Sequence, residues 1–267
     1  MVIIISTVGA TRMYQDRVMF QRTFSAFLHS LRRQTDQNFR LILTGHDRPQ
    51  GLCIEERFAT FYTLDADGSC ELTNELVDAP TDMCGEASWR RVPYGRTIED
   101  MSRKTKAACL LAGIHARSHR LPSFWMLRMD SDDLLAKDVV ANLNATDPVK
   151  TRAVYSRTCH MYDPRRKELA EHRYPSSLTC NAIWVSAEGS AYPKLYYHFN
   201  DHTTFWQNVK RDGIPSEERD WQLCITTNSQ NSISGRPELS AEQYVKQVEV
   251  TPEVVERYGL DDYERTA

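Results

Sequence analysis

The chain opens on Val2-Ile3-Ile4-Ile5, a β-branched run with no polar break, which predicts a strand buried on both faces. From about Arg17 to Gln34 the period changes. Phe20, Phe24, Phe27, Leu28 and Leu31 recur at spacings of three and four, which predicts an amphipathic helix. Leu41-Ile42-Leu43 reads as a second strand ending at the loop Thr44-Gly45-His46-Asp47, and Phe58 to Leu64 as a third. Strand, helix and strand with so short a gap form a βαβ unit and imply a parallel sheet.

Between Asp65 and Gly95 the periodicity is weak and polar residues dominate, so a long irregular connection with one small element is expected. Ile98 to Ala116 is again helical, with Met101, Thr105, Ala108, Leu111, Ala112 and His115 near one face. Phe124 to Met129 is a strongly apolar strand that runs directly into Asp130-Ser131-Asp132-Asp133. Further on, the pattern predicts a helix near Lys137 to Asn144 and a strand near Ala153 to Cys159. A hairpin turn at Tyr162-Asp163-Pro164-Arg165-Arg166 and a strand within Leu178 to Val185 follow. An extended segment is expected at Trp221 to Thr226, then helical patches at Ala241 to Val248 and Pro252 to Tyr258. No repeat and no Gly/Ser/Pro linker divides the chain. The expected organisation is one α/β domain over residues 1–237 and an acidic, partly helical C-terminal extension over 238–267.

Composition changes this picture little until charge is located. The chain has 267 residues, 41% of them hydrophobic, and a net charge of −3. That is an ordinary folded composition, and it argues against a protein that binds nucleic acid through bulk positive charge. The tail from 238 carries −5, which leaves +2 on the body, so a small anionic ligand remains compatible. The tail itself suits either a dimer arm or a solvated end, so a homodimer is one expectation. Of the 33 basic residues 25 are Arg, whose planar fork matches phosphate and carboxylate, although most of them belong to a solvated surface. Seven cysteines occur without a C-x-x-C pair, so neither a zinc site nor a thioredoxin-like motif is indicated. No apolar run reaches the length of a signal core or a membrane span. The expectation is a cytoplasmic protein, free to touch a membrane peripherally.

The acidic cluster is the strongest chemical signal. In open α/β sheets, ligands bind outside the carboxyl ends of strands. Three carboxylates within four residues repel one another unless solvated or neutralised, and a hard divalent cation would relieve that repulsion. The competing reading is a helix N-cap, with Ser131 or Asp133 capping the helix that follows.

On these residues the chain resembles GT-A nucleotide-sugar-dependent glycosyltransferases, which have a Rossmann-like N-terminal half and an Asp-x-Asp motif after a central strand. The segment FLHSLRRQTDQNFRLILTGHD is similar to the family-2 pattern of a helix ending in S-L-x-x-Q-T, a loop, a strand and an acidic residue. LRRQTDQNFRLIL, LRMDSDDLL and DWQLCITTNSQNSISGR resemble a bacterial group described as rhamnosyltransferases, over roughly Ser6 to Arg236. The resemblance implies a mixed, mainly parallel sheet flanked by helices. It also implies a nucleoside-diphosphate sugar donor, a saccharide or glycoconjugate acceptor, and Mn²⁺ or Mg²⁺ as cofactor.

Carried over by position, the end of the first strand, with Thr7 and Gly9, approaches the nucleotide, and Asp47 meets base or ribose. Arg103 and Lys104 open the helix before the acidic cluster and sit where the family often meets the diphosphate; a solvated helix face is the other reading. Arg128 lies in a run too apolar for a free charge, so it needs a partner, and Asp130 follows two residues on along the same face. Asp130 is assigned to ribose, Asp132 and Asp133 to the metal, and His202, ahead of His198, to a further metal ligand. An inverting transferase needs a general base. Asp220 and Asp201 are the candidates, with Glu217 and Glu218 behind them. A nucleotidyltransferase, another metal-dependent phosphate-ester enzyme, or a catalytically silent binding protein on the same fold are the alternatives. No phosphate-loop motif G-x-x-x-x-G-K-[ST] occurs, which weighs against the first two.

Overall fold

A computed structural model describes residues 1–8, 17–46, 58–64, 98–164, 166–186, 198–199, 202–225 and 244–265. The first half runs β1 (Val2–Thr7), α1 (Arg17–Arg32), β2 (Phe39–Gly45), β3 (Ala59–Thr63), α2 (Ile98–Ser118), β4 (Ser123–Arg128) and β5 (Asp133–Leu135). Next come α3 (Val139–Ala145), β6 (Ala153–Tyr155), β7 (Thr158–Asp163), β8 (Glu168–Arg173) and β9 (Asn181–Ser186). After them come α4 (Phe205–Arg211), β10 (Ser216–Glu218), β11 (Gln222–Ile225), β12 (Tyr244–Val248), α5 (Pro252–Tyr258) and α6 (Leu260–Arg265).

The larger sheet has the strand order β10-β6-β9-β4-β1-β2-β3. Its pairs are parallel except where β9 lies antiparallel between β4 and β6. This is the mixed, mainly parallel α/β sheet with flanking helices that the resemblance implies. A smaller sheet, β12-β8-β7-β11-β5, stands beside it.

Period two in β1 divides the core. Val2 and Ile4 join Phe20, Phe24, Phe27 and Leu31 of α1 on one face. Ile3 and Ile5 join Ala107, Ala108, Leu111 and Ala112 of α2 on the other. Both faces of the strand are therefore covered, which is why it contains no polar residue before Ser6. The alanines of α2 let that helix lie close to the sheet. The larger rings of α1 fill the opposite side, with Phe20 and Phe24 stacked at 5.8 Å.

The Q-T helix end has a structural task. Gln34 is buried, and its Nε2 donates to the Ala136 carbonyl at 2.8 Å while its Oε1 accepts from the Val140 amide at 3.1 Å. Ser30 Oγ accepts from the Leu135 amide at 3.2 Å. The two side chains tie the end of α1 to the segment that follows the acidic cluster.

Three local expectations differ from the structure. The residues after the cluster form the short strand β5, and the next helix starts only at Val139, so neither Ser131 nor Asp133 is a helix cap. Ala153 to Cys159 is two strands, β6 in the large sheet and β7 in the small one, because the chain changes sheets at Ser156-Arg157. The patch expected as helix at Ala241 to Val248 contains strand β12, which pairs with the edge of β8. A free sheet edge there outweighs weak local helix propensity.

Residues 244–265 add β12 to the small sheet and pack α6 on α1, with α5 against α6. Tyr258, Leu260 and Tyr263 enter the main core. No helix of the described residues is long and apolar enough to cross a membrane.

Candidate functional site

In the large sheet, β1 to β2 to β3 proceeds one way and β4 lies on the other side of β1. The crevice between β1 and β4 is therefore the topological switch point, where open α/β sheets bind ligands. The acidic cluster leaves β4 at this crevice. The Met129 amide still bonds Ile5 O at 3.1 Å, and Ser131 Oγ donates to Thr7 O at 3.1 Å, so the cluster is stitched to the end of β1.

Asp130, Asp132 and Asp133 each offer an oxygen, and these atoms lie within 4.8 Å of one another. The three carboxylates are not equivalent. Asp130 and Asp132 are half-buried, whereas Asp133 is 1% exposed. Its Oδ2 accepts from Thr179 Oγ1 at 3.1 Å and from Gln222 Nε2. The same amide also reaches Thr179 Oγ1 at 2.8 Å, and its Oε1 accepts from the Cys180 amide at 3.2 Å. Pairing of β5 with β11 sets Asp133 opposite Cys224, which brings Gln222 within reach of that carboxylate. An all-oxygen donor set with one carboxylate fixed and two open to solvent fits a hard divalent cation such as Mg²⁺ or Mn²⁺.

Two buried cations lie at the strand ends, one of them against the cluster. Arg128 is buried, with one Nη donating to Phe199 O at 2.6 Å and the other 3.8 Å from Asp130 Oδ1. The partner expected from strand alternation is thus present, and the guanidinium also holds the backbone at Phe199. Lys104 is 0% exposed. Its ammonium donates to Val8 O at 3.0 Å, and its backbone carbonyl accepts from Thr44 Oγ1 at 3.1 Å. That places it at the carboxyl ends of β1 and β2, not on a solvated helix face. Thr7, at the end of β1, is buried.

Asp220 sits just before β11, with its Oδ2 3.6 Å from His160 Nδ1. His160 Nδ1 is also 3.0 Å from the Tyr258 hydroxyl, and Arg257 donates to the Asp220 carbonyl at 2.7 Å. Burial raises the Asp220 pKa, against the pull of His160 and Arg257. The His160 pKa is lowered, chiefly by burial. His198 is committed to Asp212, with Nε2 3.0 Å from Oδ2. Glu217 and Glu218 are ion-paired to Arg219 and Arg173. Gly9, Asp47 and Asp201 lie outside the described residues. Arg103 falls in α2 and His202 in the 3-10 turn His202–Thr204, and both side chains lie outside the described residues.

Sequence reasoning missed Gln222 and Thr179. The available signal was an amide inside the apolar run Trp221-Gln222-Leu223-Cys224, because a buried amide must find partners.

No protein-family model matches the chain, and neither does any curated protein. Among solved structures it is similar to Rv0371c from Mycobacterium tuberculosis H37Rv, at 11% identity over 88% of this chain and 94% of that one, with a TM-score of 0.38. It is similar to the apo form of mouse xyloside xylosyltransferase 1, at 10% identity over 81% and 77%, with a TM-score of 0.31. It is also similar to the galactosyltransferase LgtC in complex with donor and acceptor sugar analogues, at 12% identity over 86% and 74%, with a TM-score of 0.33.

Proposed function

We propose that this chain is a metal-dependent glycosyltransferase that moves a sugar from a nucleoside-diphosphate donor to a hydroxyl of a saccharide or glycoconjugate. The observation that carries this reading is the convergence of three carboxylates at the switch point of the large sheet, with Arg128 beside Asp130 and Lys104 buried at the end of β1. Asp132 and Asp133 hold a Mn²⁺ or Mg²⁺ ion, and Asp130 completes the set or meets the ribose. Such an ion supplies charge stabilisation to a departing diphosphate.

The rest is the work of the chain's own side chains. Thr7, Gly9 and Asp47 receive base and ribose. Arg103, Lys104 and Arg128 add positive charge for the diphosphate, because a diphosphate that gains negative charge as it leaves needs more than one cation beside it. Asp220 is proposed as the general base, since a carboxyl with a raised pKa is a stronger proton acceptor once ionised. Asp201 is the second candidate, and His202 a further metal ligand.

Titration calorimetry with UDP, TDP and GDP tests the donor half of the reading. At least one nucleotide is expected to bind tighter with Mn²⁺ than with EDTA. Binding that ignores the metal, or no binding of any of the three, refutes it. Gln222 gives an independent check on the metal. Gln222→Leu removes the amide that orients Asp133, so Mn²⁺ affinity is expected to fall about 10- to 100-fold. An unchanged affinity in the folded variant removes Asp133 from the ligand set.

A further inference from the structure

The register of the large sheet aligns a second group of side chains with the acidic cluster. Arg128 faces Asn181 across β4 and β9, and Val154 faces Ala182 across β9 and β6, so Tyr155 ends β6 level with Arg128. Adjacent strands lie ~4.8 Å apart, so the end of β6 is about 10 Å along the same sheet edge from the end of β4.

Trp206 of α4 stacks on the Tyr155 ring, with centroids 6.2 Å apart and planes at 28°. Two cations lie against the indole. The Arg157 guanidinium carbon is 4.9 Å from its ring centroid and the Lys210 ammonium 4.6 Å. Arg157 Nε also donates to Tyr174 O at 3.2 Å. The other charges nearby are paired: Arg173 with Glu218 at 2.9 Å, Arg219 with Glu217 at 2.8 Å, and Arg211 with Asp212 at 3.3 Å. Among the described residues Arg157 and Lys210 have no carboxylate partner. The ledge is therefore positive, and its two free charges are held by a half-buried indole. Holding them in advance lowers the ordering cost of binding an anion.

We propose that this ledge is the acceptor subsite for a saccharide that carries an anionic group, a carboxylate or a phosphate on the sugar. The word acceptor rests on the transferase reading above; the anionic-saccharide site does not. The distance along the sheet edge suits a chain whose reacting hydroxyl reaches the acidic cluster while a neighbouring residue of the same saccharide meets Arg157 and Lys210. A membrane surface fits less well, because the exposed large apolar residues among those described, Val18, Val149, Val245 and Val250, all lie outside α4 and the Tyr155–Arg157 turn.

The test is calorimetry on the full chain with tetragalacturonate, neutral maltotetraose, and phosphatidylglycerol vesicles as probes. Tetragalacturonate is expected to bind about tenfold or more tighter than maltotetraose. The Arg157→Ala/Lys210→Ala double variant should lose that preference, while Arg157→Lys/Lys210→Arg retains it and Lys150→Ala changes nothing. Equal binding of acidic and neutral saccharides overturns the proposal, as does a folded double variant that binds like the parent. Vesicle binding that depends on the same two residues, without tetragalacturonate binding, overturns it in favour of a lipid surface. Metal-dependent nucleotide binding, measured on the same samples, should be unaffected by the double variant. If the parent binds no nucleotide yet its tetragalacturonate affinity depends on Arg157 and Lys210, the transferase reading fails and the ledge stands as a saccharide site.

Discussion

Asp132→Ala is expected to lower sugar transfer by ~10³-fold or more while leaving the melting temperature within a degree or two of the parent. The two halves of this expectation have separate physical grounds. Asp132 is half-buried, and its neighbours anchor the cluster to the fold, Asp133 on Thr179 and Gln222, Ser131 on Thr7 and Asp130 on Arg128. Three like charges this close oppose one another, and removing one relieves the folded state. The loss in rate comes from the transferred charge. A ligand that holds a cation at the diphosphate contributes several kcal/mol only as the leaving group departs. Asp132→Asn separates charge from shape and should fall nearly as far. The measurement is transfer rate in a nucleotide-sugar screen, with calorimetric Mn²⁺ affinity on the same samples. A folded Asp132→Ala protein that transfers at the parent rate would show that Asp132 is no ligand.

The elements legible in the sequence are those whose hydrophobic pattern is long and local. Strand β1, helices α1 and α2 and strand β4 each bury a continuous face or stripe, so period alone located them. The acidic cluster was legible for the same reason, since its chemistry is contiguous and follows a strand that cannot be mistaken. The small sheet was legible only in pieces, the turn between β7 and β8 and the extended segment of β11, and not in the pairing that joins them. Its strands β5 and β11 are three and four residues long, and their pairing spans almost ninety positions, so no local period records it. Gln222 follows from that pairing and was hidden with it. Lys104 shows a different limit. It occupies the inward stripe with Ala108 and Leu111, yet a lysine there reads as solvated until the carbonyl of Val8 is known to receive it.

The same long-range logic applies to residues 251–265. A chain ending at Val250 is expected not to reach the native state. Truncation there removes α5 and α6 and takes Tyr258, Leu260 and Tyr263 out of the main core, where each is 2% exposed or less. Deleting a buried side chain of this size costs roughly 2–5 kcal/mol, and three of them approach the ~5–15 kcal/mol that holds a typical domain together. The loss is compounded by contacts that only this segment makes. Arg22 lies 4.0 Å over the Tyr263 ring and donates to its carbonyl at 3.2 Å. Arg33 pairs with Asp261 at 3.1 Å, and the Lys137 amide bonds Arg257 O at 2.9 Å. The two helices fit this surface because Gly259 takes φ +71° between them, a turn most side chains resist. Circular dichroism and thermal melting of the truncated chain check the expectation, with Tyr263→Ala as the milder variant, about 3–5 kcal/mol less stable. Cooperative melting of the truncated chain near the parent temperature would show that the acidic tail is an appendage. Its failure to fold would show that a segment with net charge −3 is retained for the aromatic surface it buries, on the face of the large sheet opposite α2.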